Sequence, residues 1–317
     1  MRAHGVMTGS VCVQDCLETR INMKVGDGVM AGLVWTPVSH VSPPNTQPAL
    51  VFLHANGFCA STYRQLLLTL ARETGHVIAA LDLRGHGRSK ISDIPNEQDN
   101  WNRHAKDICE ALEIIAPKGT VLAGHSMGAT SAILAGARAS GLVTGMCLFD
   151  PVLAPASFYL YARLPWVFDN WRKHFPLARS AAKRRAVFPS REAAVNAYQG
   201  RGAFKSWAPN MLEDYCDDGF TDMPDGSVRL SCAPAFEAAC FAGQRHNPLA
   251  ALARIEWPAR LLRGARNSTT VGFLIRKLER HGVGVETVAD TTHFLPMERP
   301  DICRAAMADI MARAARA

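Results

Sequence analysis

The sequence lacks long hydrophobic runs. No window of the 317 residues approaches the roughly 18 to 20 consecutive apolar residues of a membrane span. The first sixteen residues lack the continuous apolar stretch of a secretory leader. We therefore expect a cytoplasmic protein without a membrane span, and the 48% hydrophobic and 20% charged composition is ordinary for a globular enzyme.

Paired cysteine motifs are also missing. The nine cysteines are scattered, odd in number and without C-x-x-C spacing. This favours free thiols over a disulfide framework or a zinc site, and we expect no metal. The net charge of +7 accompanies no nucleic-acid-binding module, so we expect no nucleic-acid partner.

Apolar segments of strand length alternate with helical segments along most of the chain. This order predicts right-handed crossovers and a mostly parallel sheet with helices on both faces. The alternation stops near Pro151 and resumes after about Ala250. We predict a core formed by residues 1–150 and 251–317, and an inserted, mainly helical cap over 151–250. The predicted strands are 29–38, 49–54, 77–83, 120–124, 146–149, 259–263 and 285–288.

A G-x-S-x-G motif, Gly-His-Ser-Met-Gly, is centred on Ser126 between a predicted strand and a predicted helix. A sharp strand-to-helix turn of this kind exposes a serine hydroxyl to both a base and a substrate carbonyl. The small residues Gly124 and Gly128 allow neighbouring backbone to approach closely. Ser126 is therefore the candidate nucleophile.

Three further motifs, in the same order along the chain, resemble those of the α/β-hydrolase family. The segment 53–58 resembles its oxyanion loop, 82–89 its D-x-R-G-x-G-x-S turn, and 292–298 the segment with its catalytic histidine. The resemblance implies an α/β-hydrolase fold and a Ser–acid–His triad. It also implies that His293, which follows the last predicted strand, is the base. For His54, His86 and His125 we expect structural roles in turns.

The acid departs from the common family pattern. The position after the penultimate strand, where the family usually has aspartate, is Asn267, which cannot stabilise an imidazolium by charge. Asp150 follows the strand after the nucleophile, as in haloalkane dehalogenases and some fungal acyl-CoA thioesterases of this family. We favour Asp150 as the acid; a mere turn-capping role before Pro151 is the alternative, and Asp290 is a weaker candidate.

Two backbone N–H groups are expected to form the oxyanion hole. The residue after the nucleophile, Met127, supplies one. Asn56 is our choice for the other, although Gly57 or Phe58 would serve if the loop were shifted. Asn56 is alternatively a turn residue held by its own side chain.

The insertion is rich in aromatic and basic residues. Its aromatic side chains predict an apolar acyl or aromatic pocket, or else form the core of the cap itself. Its basic residues could hold the phosphates of a coenzyme A thioester, but a solvated helix face is the simpler interpretation. These basic residues are Arg172, Lys173, Arg179, Lys183, Arg184 and Arg185.

Together these features predict a serine hydrolase that cleaves a carboxylic ester or an acyl thioester through an acyl-enzyme, without a cofactor. A carbon–carbon bond hydrolase or an acyltransferase would use the same triad. The departure at Asn267 leaves a non-catalytic, hydrolase-like binding protein as a further alternative. The expected partner is a small-molecule ester or thioester with an apolar or aromatic part, and a homodimer is a possible assembly.

Overall fold

A nine-stranded sheet forms the centre of the protein. The computed structural model describes residues 6–13, 15–38, 47–98 and 100–316. The strand order is β1-β2-β3-β5-β4-β6-β7-β11-β12. Pairs among β1, β2, β3 and β5 are antiparallel, and the remaining pairs are parallel. These strands are β1 (Val6–Val13), β2 (Cys16–Val25), β3 (Gly28–Pro37), β4 (Leu50–Leu53), β5 (Ile78–Leu81), β6 (Thr120–His125), β7 (Val143–Phe149), β11 (Ala259–Gly264) and β12 (Val283–Val288).

Helices cover both faces of this sheet, because the parallel strands need crossover connections. On β4, Leu50 and Phe52 belong to one hydrophobic cluster and Val51 and Leu53 to the other. A four-residue strand buried on both sides is therefore apolar throughout. The core helices are α1 (Arg64–Thr74), α2 (Asn102–Ile115), α3 (Met127–Gly136), α11 (Ile275–Arg280), α12 (Leu295–Glu298) and α13 (Pro300–Ala314).

The segment between β7 and β11 contains seven helices and a small three-stranded sheet. Its sheet has the order β8-β10-β9, and all its pairs are antiparallel. The helices are α4 (Ala156–Tyr161), α5 (Pro165–His174), α6 (Pro176–Ala181), α7 (Arg191–Tyr198), α8 (Met211–Asp218), α9 (Pro234–Ala242) and α10 (Pro248–Leu252). The strands are β8 (Val187–Phe188), β9 (Phe220–Asp222) and β10 (Val228–Leu230). The functional division at 151–250 stays a prediction.

The predicted fold class is confirmed: a mostly parallel sheet carries helices on both faces. The antiparallel strands β1 and β2 were not among the predicted elements. Five of the ten residues of β2 are buried, and Ile21, Met23 and Val25 alternate with more exposed neighbours. No helix in the described part of the chain combines the length and apolar composition needed to cross a bilayer.

Candidate active site

Ser126 lies at the sharp turn between β6 and α3. Its φ of 54° and ψ of −115° form a strained backbone conformation for a non-glycine residue. A Cβ at Gly124 would lie 2.7 Å from the carbonyl carbon of Gly128, and a Cβ at Gly128 would lie 2.1 Å from the carbonyl oxygen of Leu53. Both positions therefore require glycine, and the turn holds the serine hydroxyl at the carboxyl edge of the sheet.

The three residues predicted as a triad form a continuous chain of hydrogen bonds. Nε2 of His293 lies 3.0 Å from Oγ of Ser126, and Nδ1 of His293 lies 2.8 Å from Oδ2 of Asp150. In this arrangement Nδ1–H donates to the carboxylate, and Nε2 is left to accept the serine proton. The structure therefore brings together the hydroxyl, imidazole and carboxylate that the sequence predicts as nucleophile, base and acid.

The carboxylate of Asp150 is completely buried and held on both oxygens. Its second oxygen, Oδ1, accepts a short hydrogen bond from the hydroxyl of Ser268, and Thr269 Oγ1 donates to its backbone carbonyl at 2.8 Å. Both residues directly follow Asn267, the usual family position of the acid. That loop therefore holds the side chain and the backbone carbonyl of Asp150, the candidate acid at the end of the neighbouring strand β7.

The usual family position of the acid, Asn267, and the weaker candidate for the acid, Asp290, lie apart from this chain of hydrogen bonds. Asn267 is exposed at a positive φ of 55° and lines a surface cavity. Asp290 is also exposed, and its backbone carbonyl accepts from Arg266 Nη2 at 3.4 Å. Neither side chain is hydrogen-bonded to His293 in the described structure.

The backbone N–H groups of the oxyanion loop can be assigned one by one. Ala55 N–H donates to the Tyr63 hydroxyl at 3.1 Å, Gly57 N–H to Nε2 of His86 at 3.0 Å, and Phe58 N–H to the carbonyl of Ala55 at 3.1 Å. Within the described residues, the N–H of Asn56 has no acceptor in this loop. The loop therefore offers Asn56 N–H to a ligand.

The side chain of Asn56 is itself a link to the inserted segment. Its Nδ2 donates to the backbone carbonyl of Glu237 at 2.9 Å. The carboxylate of Glu237 pairs with Arg184 at 2.5 Å, and Arg184 also donates to the hydroxyls of Tyr198 and Tyr215. Sequence analysis missed this connection, because residues 56, 184 and 237 are far apart along the chain.

Buried histidines hold the surrounding loops. His54 Nε2 accepts from the backbone N–H of Leu83 at 2.9 Å, and burial lowers the pKa of His86 to about 4, which keeps its Nε2 an acceptor for Gly57. His125 Nε2 lies 2.8 Å from the carbonyl of His293, and its Nδ1 lies 2.8 Å from the Tyr63 hydroxyl. Burial, and then the proximity of His293, lowers the pKa of His125 well below its usual value. His125 thus positions the backbone of the candidate base.

Aromatic side chains from the core and the insertion meet beside the site. Phe58, two residues after Asn56, lies with its ring centroid 5.2 Å from Trp207 and 5.6 Å from Tyr215. Phe294, adjacent to His293, lies 6.3 Å from Phe58. A cavity of about 400 Å³ opens beside His293 and Phe294. An apolar group can therefore lie beside His293 and Phe294.

The predicted basic cluster is divided between several environments. Arg184 is paired with Glu237, Arg172 lies 5.7 Å above the ring of Phe168, and Arg185 lies 4.5 Å above the ring of Phe188. Lys173 and Lys183 are exposed. Within the described residues, no three His, Cys, Asp or Glu side chains converge as metal ligands.

Residues 50–306 match the model of the alpha/beta hydrolase family. The chain belongs to this family. The match begins at β4 and ends within α13, so it includes the turn at Ser126, the insertion and the His293 loop.

Several proteins are similar to this hydrolase-family chain. The sn-1-specific diacylglycerol lipase ABHD11 of Xenopus laevis is 29% identical over an alignment of 177 residues that covers 52% of this chain and 54% of the lipase. Protein phosphatase methylesterase 1 of Mus musculus is 32% identical over 109 residues, 33% of this chain and 28% of the esterase. The chain thus spans about half the length of the first relative, and less of the second.

Solved structures match over more of the chain. The crystal structure of E-2-(acetamidomethylene)succinate hydrolase covers 98% of this chain and 100% of its own, with a TM-score of 0.69 and 19% identity. A thioesterase domain from the curacin biosynthetic pathway covers 92% of this chain and 98% of its own, with a TM-score of 0.68 and 18% identity. At these identities the structures show the shared fold.

Proposed function

We propose that the protein is a serine hydrolase that cleaves a carboxylic ester or an acyl thioester through an acyl-enzyme. Ser126 Oγ attacks the carbonyl carbon while His293 Nε2 takes its proton. The resulting imidazolium is stabilised by the Asp150 carboxylate and then protonates the leaving alkoxide or thiolate. Water, deprotonated by His293, releases the acid and regenerates the serine.

The observation that carries this proposal is the hydrogen-bonded chain from Ser126 through His293 to Asp150, with distances of 3.0 and 2.8 Å. The free N–H of Asn56 and the N–H of Met127, at the start of α3, are the donors we assign to the oxyanion. The position of Asp150 also weakens the non-catalytic alternative, because the carboxylate that Asn267 lacks is supplied from β7.

The substrate class follows from the surroundings of the serine. Aromatic rings beside His293 favour an apolar or aromatic acyl group, and residues 151–250, which contribute Trp207 and Tyr215, are assigned as its cap. Three of the four similar proteins named above, a lipase, a methylesterase and a thioesterase domain, have names that refer to the cleavage of esters or thioesters. We extend that class of reaction, and none of their individual substrates, to this chain.

A fluorophosphonate probe tests the nucleophile. We expect covalent labelling of the wild type, complete loss in Ser126→Ala, and unchanged labelling in Ser140→Ala, which alters an exposed serine outside the site. Labelling that persists in Ser126→Ala would contradict the assignment, as would a folded wild type that is not labelled at all.

The bond that is cleaved is tested with a panel of p-nitrophenyl esters and acyl-CoA thioesters of matched chain length. We expect kcat/KM to rise with the apolar length of the acyl group in at least one series. If the exposed lysines of the insertion bind the CoA phosphates, KM for acyl-CoA will rise with salt while KM for the matched ester stays constant. Equal salt responses would exclude phosphate recognition.

A further inference from the structure

Five large apolar side chains are exposed on α4, α5, α6 and the turn between α4 and α5. Trp166 exposes 73% of its surface and Leu160 exposes 62%. Four of the five lie within seven consecutive residues. We call this set the α4–α6 patch: Leu160, Tyr161, Leu164, Trp166 and Leu177. Exposed apolar groups that cluster in this way mark interaction sites more often than single exposed residues do.

Other side chains of these helices, away from the patch, pack them against the protein. Tyr159 and Phe168 are buried, and the Tyr159 hydroxyl accepts from the backbone N–H of Ala154 at 2.9 Å. The ring of Phe158 lies 5.2 Å from that of Trp171, which joins α4 to α5. The α4–α6 patch is therefore not needed to hold the helices in place, so the packing of these helices does not explain its apolar character.

The segment that contains the patch carries an excess of positive charge. Residues 156–185 contain seven arginines or lysines and a single acidic residue, Asp169. Arg184 is neutralised by Glu237, but Arg163, Lys173, Arg179 and Lys183 are exposed on the same helices and connecting turns. Apolar groups, a tryptophan and a tyrosine, set among lysines and arginines, have the composition of segments that lie in the interface of anionic membranes.

We propose that the α4–α6 patch docks the protein on the surface of an anionic lipid bilayer. Trp166 and Tyr161 enter the headgroup region, and the surrounding cations contact lipid phosphates. A second copy of the chain fits this surface less well, because a two-fold contact would bring the two basic surfaces together. Docking at this place would also hold helix α4, which starts six residues after Asp150, near the bilayer.

Vesicle co-sedimentation tests this proposal with the Ser126→Ala protein, so that binding is measured without hydrolysis. We expect binding to vesicles of equimolar phosphatidylcholine and phosphatidylglycerol, with little binding to phosphatidylcholine alone. Binding should weaken as salt is raised. On anionic vesicles the emission of Trp166 should shift to the blue, and Trp166→Phe should remove that shift.

Two variants locate the contact. Leu164→Ser combined with Trp166→Ser should lower the vesicle partition coefficient about tenfold or more, since two large apolar side chains no longer enter the interface. Phe273→Ser is the matched control, because Phe273 is 70% exposed outside the patch. The double variant Lys173→Glu, Lys183→Glu keeps all the apolar residues. It should weaken binding to anionic vesicles and leave the weak binding to neutral vesicles unchanged.

Three results would overturn the proposal: no vesicle binding by the folded protein, equal binding by the Leu164/Trp166 variant and the Phe273 control, or equal binding to neutral and anionic vesicles. Conversion of a stable dimer to a monomer by the patch variant, without vesicle binding, would assign the patch to a second copy instead. None of these results depends on whether Ser126 is a nucleophile, so this proposal and the proposed function can fail separately.

Discussion

Two adjacent strands end in residues with strained backbone, Ser126 after β6 and Asp150 after β7. Their φ values are 54° and 43°, in a region that few non-glycine residues adopt. Because β6 and β7 pair in parallel, both turns leave the same edge of the sheet. The strain is explained if each turn is needed to aim a side chain at His293.

The first prediction distinguishes Asp150 from Asn267. Asp150→Asn should lower kcat by about 10³- to 10⁴-fold, because the imidazolium loses its charge partner and the amide can stabilise the wrong tautomer. Asn267→Ala should lower kcat less than about threefold, since Asn267 is exposed and not bonded to His293. Steady-state kinetics on one p-nitrophenyl ester measure both, and reversed sensitivities would show that the acid is misassigned.

The sequence could predict the three main residues of this site but not the neighbouring residues that hold them in place. Motif order indicated Ser126 and His293, and the resemblance to family members whose acid follows the strand after the nucleophile indicated Asp150. The hydrogen bond from the Ser268 hydroxyl to Asp150 was only weakly indicated in the sequence, by the Ser-Thr-Thr run that follows Asn267. Contacts between distant segments, such as that of His125 with the His293 carbonyl, depend on packing that periodicity does not encode.

The close approach of helix α3 to strand β4 sets the position of the turn at Ser126. Helix α3 is buried along all ten residues and starts against the end of β4, where Gly128 meets the carbonyl oxygen of Leu53. The sequence pattern predicted β3 to β7, β11 and β12. It missed β1 and β2, because a half-exposed antiparallel strand such as β2 contains polar residues at every second position or nearly so.

The second prediction concerns this contact between α3 and β4. Gly128→Ala should lower the free energy of unfolding by about 3 kcal/mol or more, because its Cβ would overlap backbone atoms that cannot rotate away. Gly141→Ala is the control, since no atom lies within 4 Å of a Cβ there. Urea titrations followed by circular dichroism give both values. Similar stabilities for the two variants would contradict the close approach.

The third prediction concerns the pair that joins helix α9 to the turn after α6. Glu237→Gln should destabilise the protein by about 3 kcal/mol, because it leaves the Arg184 guanidinium without a carboxylate among largely buried groups. Arg184→Met with Glu237→Gln should be less destabilised than the sum of the single variants. A double-mutant cycle in urea measures this coupling, and a coupling near zero would mean that the ion pair contributes nothing.

Across the part of the chain that the structure describes, five buried histidines have lowered pKa values and are neutral rings. Burial lowers the pKa of His54, His104 and His125 well below the usual value, that of His86 to about 4 and that of His246 to about 3. In the unfolded chain these side chains take up a proton with a pKa of about 6.5, whereas in the folded protein they stay neutral at that pH. Asp82 has the opposite effect, because burial raises the pKa of its carboxyl to about 7.

The fourth prediction isolates one of these histidines, because the net pH dependence of stability combines effects of both signs. His246 stacks 4.6 Å from the ring of Trp101, and its Nδ1 accepts from the backbone N–H of Trp101 at 3.3 Å. Its folded pKa is depressed, so its contribution to stability is complete above pH 6.5 and is lost as the pH falls towards 3. The loss approaches about 1.4 kcal/mol for each pH unit.

His246→Asn removes that titration but also removes the stack on Trp101. The variant should therefore be less stable than the wild type at pH 7, and the difference should shrink as the pH is lowered from 7 to 5. Urea midpoints and slopes measured for both proteins at each pH give the difference directly. His281→Asn, which changes an exposed histidine, should show the same pH dependence as the wild type. A constant difference between wild type and His246→Asn across this range would mean that His246 is protonated alike in the folded and unfolded states, so that its burial in the fold would have to be revised.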